Sequence, residues 1–401
     1  MMAIMVSIIF DKKLIMKIFV CIKILLTVSA IFVLQNGNAQ TSSAAVKKTV
    51  NRSPAKKSSL KNAYKSYFFI GAALNTPQIE EKDAGASILV PQQFNAITSE
   101  NIMKCEVIHP EWDTYNFDFA DKYVAYGTKH NMFIIGHTFI WHSQLSPFVN
   151  NIQNSDSLLL FMTNHINTIG KRYAGKVNSW DVVNEALNED GTLRKSIFLK
   201  KLGEDYIRKA FELAAKADPK AELYYNDYNI EQPQKRAGAI ALIKRIQASG
   251  TRIDGVGIQG HWSINGPPLQ DIENSIIEFA AMGLKISFTE LDLTALPNPW
   301  DLKGADINQN FEGSPFMNPY PNGLPDSMQI KLAKGYEDLF KLFIKHKDKI
   351  ERITFWGVND GQSWLNGWPI KGRTNYPLLF DRNFKPKLAY EKVIALVKIN
   401  K

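Results

Sequence analysis

The chain has 401 residues, of which 45% are hydrophobic, and its formal net charge is +9 at pH 7. This length admits two ordinary domains or one large domain. The hydrophobic content is ample for a large core, which excludes a chain that is too polar to fold around one.

The first 39 residues form a segment of their own. Lys12, Lys13, Lys17 and Lys23 lead into an apolar run over residues 24–34, and small residues follow at Gly37 and Ala39. This order is typical of a secretory signal that is removed after Ala39. An uncleaved membrane anchor is the alternative, but the run is shorter than the roughly 20 residues that a spanning helix needs.

Residues 40–59 are rich in Ser, Ala and Lys and predict a flexible linker before a folded domain at 60–401. A nucleic-acid-binding arm is disfavoured, because no aromatic residue interleaves the lysines before Tyr64. Cys21 would leave with the signal and Cys105 would stay alone, so the mature chain has no partner for a disulfide.

From residue 66 onward, short β-type runs alternate with longer amphipathic stretches. The β-type runs cover residues 67–73, 94–98, 132–140, 177–183, 222–226, 255–259, 285–289 and 352–357. The helical stretches cover residues 156–173, 196–217, 233–248, 269–282 and 328–346. Eight strands that alternate with helices predict a single (β/α)8 barrel. An open doubly wound sheet is the alternative, but it would carry a Gly-rich phosphate turn after an early strand, and none is present there.

Residues 295–327 interrupt this alternation with six prolines and no periodicity. A loop of this length inside a compact domain is usually functional or disordered. Because it follows directly on Glu290 and Asp292, we expect a flap that faces the substrate, with plain surface decoration as the alternative.

The chemistry is expected at the strand exits, where a parallel barrel keeps its active site. Glu185 and Glu290 end the fourth and seventh predicted strands, and a pair of carboxylates is what hydrolysis of a glycosidic bond requires. Amides, imidazoles and indoles at the other exits suit sugar hydroxyls and the apolar faces of sugar rings. His137 and His142 are five residues apart, which does not match the spacing of a zinc-binding helix, and we predict neither a metal nor a cofactor.

Seven ordered motifs, one on each predicted strand from the second to the eighth, resemble glycoside hydrolase family 10, the endo-β-1,4-xylanases. The resemblance spans residues 60–397. The motifs are FNAITSENIMK (94–104), GHTFIWHSQ (136–144), WDVVNEA (180–186), YNDYN (225–229), GIQGH (257–261), TELD (289–292) and FWGVND (355–360), the last continued by SW at 363–364.

The resemblance implies a retaining mechanism on xylan, with Glu290 as nucleophile and Glu185 as acid/base. It further implies that Asn184 binds the 2-hydroxyl of the sugar that is cleaved and that His261 orients Glu290. The residues that would line that subsite are Lys104, His137, Trp141, Gln259, Trp356 and Trp364. The residues that would hold the next sugar on the non-reducing side are Glu100, Asn101 and Gln144, while Tyr228 would face the leaving group.

The resemblance also implies a cis peptide bond between His137 and Thr138. Cys105 stands where the family usually has Trp. Because Cys105 has neither a cysteine partner nor an obvious base beside it, we expect it to be a small packing residue.

The sequence therefore predicts an exported, monomeric, single-domain endo-β-1,4-xylanase whose partner is xylan or a xylo-oligosaccharide. It predicts no nucleic-acid partner and no membrane span in the mature chain. A β-1,4-glucanase with the same barrel and a non-catalytic sugar-binding protein are the alternatives.

Overall fold

A computed structural model describes residues 59–398 of the chain. The predicted signal at 1–39 and all of the predicted linker except Ser59 lie outside the described residues. No helix within 59–398 is long and apolar enough to cross a membrane.

Nine strands occur within the described residues, and eight of them are parallel and close into a barrel, as predicted. The strands in chain order are β1 Phe69–Leu74, β2 Ala96–Ser99, β3 Phe133–Trp141, β4 Ser179–Asn184, β5 Glu222–Asp227, β6 Gly255–Ile258, β7 His261–Ser263, β8 Lys285–Thr294 and β9 Ile350–Phe355. Neighbours in the chain pair from β1 to β6, β6 pairs with β8, and β8 pairs with β9. Pairing of β9 with β1 closes the ring, and the short β7 lies outside it, beside β8.

The barrel strands are almost fully buried, because the helices cover their outer faces and side chains fill the interior. Every residue of β2, β4 and β6 is buried. This explains why the strands were visible in the sequence as continuous apolar runs.

Thirteen α-helices accompany the strands within the described residues. They are α1 Leu60–Ala63, α2 Thr76–Ile79, α3 Ala84–Gln93, α4 Cys105–Ile108, α5 Asp118–Lys129, α6 Pro147–Asn150, α7 Ser155–Tyr173, α8 Ile197–Leu202, α9 Asp205–Ala217, α10 Pro233–Ala248, α11 Leu269–Ala280, α12 Asp326–Lys345 and α13 Leu388–Lys398. Short 3₁₀ turns occur at Pro315–Met317, Asp360–Gln362 and Trp364–Asn366.

The ends of these helices follow local sequence signals. The side chain of Asn154 accepts a hydrogen bond from the amide of Ser157 at 2.8 Å and so caps α7, and Pro233 opens α10 in the first-turn position that suits proline. In α9, residues 206, 207, 210, 211, 214 and 217 are buried, which is the spacing of one helix face.

Two predicted bounds were wrong. The helix predicted over residues 196–217 is two helices, because Gly203 has a φ of +71° and ends α8 before α9 begins. The strand predicted over 285–289 continues to Thr294, so Glu290 and Asp292 lie within β8. The pairing of β8 with β9 shifts between Phe288 and Leu291, beside the glutamate.

The beginning and the end of the described chain meet. The hydroxyl of Tyr64, next to α1, donates a hydrogen bond to the carbonyl oxygen of Val393 in α13 at 2.7 Å. The first and last strands are also neighbours, so the closure of the barrel and the docking of the last helix occur in the same region.

Candidate active site

Two glutamates from different barrel strands meet in one cleft. Glu185 directly follows β4, and Glu290 lies in β8; their exposed fractions are 4% and 5%. The other residues that line this cleft are Glu100, Asn101, Lys104, His137, Trp141, Gln144, Asn184, Gln259, His261, Ala305, Ile307, Trp356 and Trp364. Every predicted site residue except Tyr228 is therefore in the same cleft.

Glu185 is held by three hydrogen-bond donors. The indole Nε1 of Trp141 lies 2.8 Å from Oε2, while Nε2 of Gln259 lies 2.9 Å and Nδ2 of Asn184 lies 3.3 Å from Oε1. Burial, followed by the negative charge of Asp227, raises the pKa of Glu185 to about 7, although the bonds from Gln259 and Trp141 oppose the shift. A carboxyl with this pKa can be protonated in one step and ionised in the next near neutral pH.

Glu290 has the opposite electrostatic environment. Its Oε1 accepts a hydrogen bond from Nδ2 of Asn226 at 2.8 Å, and its Oε2 lies 3.1 Å from Nε2 of His261. Burial alone would raise the pKa of Glu290, but the bond from His261 and the charges of His137 and His261 bring it below its ordinary value. Glu290 is therefore the ionised member of the pair.

His261 owes its charge to a second carboxylate. Its Nδ1 lies 3.1 Å from Oδ2 of Asp292, which also accepts a hydrogen bond from the indole of Trp364 at 2.8 Å. Burial would lower the pKa of His261, but Asp292 and Glu290 raise it to about 10, so the ring is an imidazolium that donates to both. Asp292 thus fixes the residue that orients Glu290.

Asn226, at the end of β5, connects the two glutamates. Its Nδ2 donates to Glu290 and also to Oδ1 of Asn184 at 2.9 Å, while its Oδ1 accepts from the hydroxyl of Thr289 at 2.6 Å. Because Asn184 in turn donates to Glu185, both carboxylates belong to one hydrogen-bonded network. The sequence placed Asn226 at a strand exit but did not identify it as a site residue.

On one side of the carboxylates, the cleft is polar and centred on Lys104. Its Nζ donates to Oδ1 of Asn101 at 2.9 Å and to Oε1 of Gln144 at 2.8 Å, and it lies 4.9 Å from the ring centre of Trp141. Burial lowers the pKa of Lys104 and raises that of nearby Glu100. These groups can donate to and accept from sugar hydroxyls in fixed directions.

Aromatic side chains form another wall. His137 packs edge-to-face on Trp356 at 5.5 Å between ring centres, and its Nδ1 lies 2.9 Å from Oδ2 of Asp181. Trp364 stacks on Trp368 at 4.4 Å. The peptide bond between His137 and Thr138 is cis, as expected. Flat apolar surfaces beside polar groups are suited to the two kinds of surface that a sugar ring presents.

Comparison with known proteins identifies this arrangement. The model of glycosyl hydrolase family 10 matches residues 59–396. The chain belongs to glycosyl hydrolase family 10. The predicted barrel and family are therefore confirmed. Family 10 hydrolyses glycosidic bonds with retention, so the predicted reaction class is confirmed as well, and the chain is a retaining glycoside hydrolase.

Three relatives match the chain over nearly their whole length. Endo-1,4-beta-xylanase A of Xylanibacter ruminicola is 44% identical over 342 residues, which cover 84% of this chain and 93% of the relative. Beta-1,4-xylanase of Dictyoglomus thermophilum is 39% identical, with coverages of 84% and 90%. A solved family 10 endoxylanase from a sugarcane soil metagenome is 47% identical, has a TM-score of 0.81 and covers 84% of this chain and 99% of its own.

Tyr228 lies outside the cleft of this family 10 chain. Only 2% of the residue is exposed, because Nζ of Lys235 lies 3.6 Å from its ring centre and Gly304 packs against its edge. The sequence missed Ala305 and Ile307, which line the cleft; the one available signal was that they belong to the 295–327 loop. Cys105 is buried as expected, with its Sγ 3.7 Å from the hydroxyl of Ser146.

Proposed function

We propose that the chain cleaves internal β-1,4-xylosidic bonds of xylan, with Glu290 as nucleophile and Glu185 as acid/base. The observation that carries the assignment of roles is the opposite pKa shift of two buried carboxyls in one cleft. The relatives named as xylanases support the choice of substrate.

In the first step, Glu290 attacks the anomeric carbon while Glu185 protonates the leaving oxygen. A covalent glycosyl-enzyme forms, the glycosidic bond breaks, and the shortened chain leaves as an alcohol. The imidazolium of His261 and the amide of Asn226 hold Glu290 in the ionised state and fix its direction of attack.

In the second step, Glu185, now ionised, takes a proton from water. The water oxygen attacks the anomeric carbon, Glu290 leaves as a carboxylate, and the original configuration is restored. The bonds from Trp141 and Gln259 keep Glu185 in place when it is an anion, while burial favours its neutral form.

The remaining cleft residues bind the sugars. Asn184 would donate to the 2-hydroxyl of the sugar that is cleaved, and Lys104, His137, Trp141, Gln259, Trp356 and Trp364 would surround that ring. Glu100, Asn101 and Gln144 would hold the next sugar on the non-reducing side.

The pH profile tests the assignment of roles. We expect kcat/KM to fall by about tenfold per pH unit above about pH 7, where free Glu185 loses its proton. The acidic limb, set by Glu290, should lie below the ordinary carboxyl range. Because the charge of Asp227 raises the pKa of Glu185, Asp227→Asn should move the alkaline limb to lower pH. An alkaline limb that stays in place would contradict this account, provided that the melting temperature shows a folded variant.

Selectivity tests the substrate. We expect release of short oligosaccharides from arabinoxylan by residues 40–401, and a rate at least about tenfold lower on a soluble cellulose. Xylose lacks the hydroxymethyl group of glucose, and Trp364 is fixed by Asp292 at the edge of the cleft, where it can close on that position. Faster release from the cellulose would favour the glucanase and would leave the mechanism standing.

We further propose that the chain is exported, with residues 1–39 removed, and acts as a monomer with one catalytic domain from residue 60. The N-terminal residue of the exported protein and its mass in solution would test these points. The signal-like order of residues 12–39 supports export.

A further inference from the structure

The loop after β8 crosses to the opposite side of the cleft. We call residues 304–308 the strap. Gly304 packs against the ring of Tyr228, since a Cβ there would lie 2.3 Å from the ring. Asp306 forms an ion pair of 3.2 Å with Arg194, and Asn308 accepts a hydrogen bond from Ser143 at 3.3 Å. The strap is therefore fixed to segments that follow β3, β4 and β5.

Arg194 connects the strap to the acid/base residue. Its Nε donates to the main-chain oxygen of Glu185 at 3.1 Å, and its Nη2 donates to the hydroxyl of Tyr228 at 2.6 Å. Glu185 has a φ of +56°, an unfavourable conformation for a residue other than glycine that needs support from its surroundings. The same guanidinium thus holds the backbone of Glu185 and the carboxylate of Asp306.

The strap also determines what a leaving group can touch. Lys104, Asn101 and Gln144 lie on the side of the cleft assigned to the non-reducing sugars. Arg194 contacts the main chain of Glu185 and the hydroxyl of Tyr228, and neither Arg194 nor Tyr228 lines that side. Only 2% of Tyr228 is exposed, and Gly304 packs against its ring. The pocket that Tyr228 borders together with Arg194 and Asp306 is separate from the cleft of the two glutamates. Ala305 and Ile307 instead reach the cleft beside the two glutamates. Ile307 is the larger of these two apolar side chains.

We propose that Ile307 is a specificity-determining contact for the xylosyl residues on the leaving-group side, and that the Asp306–Arg194 pair holds it in place. The inference rests on the proposed function and adds a substrate contact to it. An apolar side chain beside the acid/base residue packs against an unsubstituted sugar face and disfavours a bulky side-chain substituent there.

The test uses xylohexaose with an ¹⁸O label at its reducing end, so that mass spectrometry shows which bond is cut. Ile307→Ala should lower kcat/KM on xylohexaose by about tenfold and move the cut towards the reducing end, where fewer sugars occupy the leaving-group side. Xylobiosyl fluoride loses a single atom as leaving group and should be hydrolysed at an unchanged rate. Ile330→Ala removes an apolar side chain that is 60% exposed on α12 and is the matched control.

A second pair of variants tests the ion pair. Asp306→Asn should shift the cut in the same direction, whereas Asp301→Asn, an exposed carboxylate earlier in the same loop, should not. The inference is overturned if Ile307→Ala leaves the cutting pattern unchanged, or if both substrates slow equally. If the wild type cleaves neither xylan nor xylohexaose, the proposed function itself has failed.

Discussion

Glu290→Ala is expected to lower kcat on xylan by a factor on the order of 10⁴ or more. In the proposed mechanism this side chain forms the covalent bond of the first step. No other carboxylate among the cleft residues is free to take its place, because Glu185 is the proposed acid and Glu100 lies beside Lys104. The initial rate of reducing-sugar release by residues 40–401 measures the loss.

Two controls make this result specific. Glu290→Gln keeps the shape of the side chain and should be equally inactive, which excludes a loss of packing as the cause. Azide should restore turnover in Glu290→Ala and give a glycosyl azide of inverted configuration, because the anion enters from the side that the carboxylate occupied. Retention of most of the activity by either variant would make Glu290 a structural residue and the proposed mechanism wrong.

Glu185→Ala should lower kcat on xylan by about 10³-fold, within the usual contribution of a general acid. The loss should depend on the leaving group. A dinitrophenyl xylobioside needs little protonation, so formation of the glycosyl-enzyme should remain fast and the covalent species should accumulate as a burst. The variant also frees the indole of Trp141 and the amide of Gln259, so a melting curve must accompany the kinetics.

Azide distinguishes this variant from the previous one. In Glu185→Ala, azide replaces water in the second step and should give a glycosyl azide of retained configuration, opposite to that of Glu290→Ala. An inverted product, or an equal loss on xylan and on the dinitrophenyl substrate, would show that Glu185 is not the acid/base.

The barrel was predictable because its strands are buried on both faces, so each is a continuous apolar run that ends in polar residues. The helical stretches were predictable because each buries one face, which gives a helical periodicity of apolar residues. The predictions that were wrong concern the ends of individual elements. Gly203 ends α8 and separates it from α9 inside one amphipathic pattern. β8 continues past Glu290 because its last three residues, 292–294, pair with residues 261–263 of β7. This pairing cannot be read from the periodicity of the sequence.

The cleft was predictable where a strand exit determines the position of a side chain, as for Glu185, Lys104 and Trp356. Asn226 was missed because its function depends on Glu290 and Asn184, which come from other strands. The positions of Tyr228 and Ile307 relative to the cleft depend on the strap, which is held by contacts with other segments, such as the pair of Asp306 with Arg194. The sequence of the strap alone does not show these contacts. The resemblance to family 10 implied the roles that we propose, and the contacts of the two glutamates and His261 supply the physical argument for them.

The hydrogen bond between Tyr64 and Val393 brings the two ends of the described chain together, which matters for attaching the enzyme to a surface or to another domain. Strands run towards the cleft and helices run back, so α1 and the end of α13 both reach the face of the barrel away from the substrate. An anchor, a fused domain or a solid support joined at either end would leave the cleft turned outward. Such an enzyme could be tethered densely on a surface and still reach an insoluble polymer in front of it.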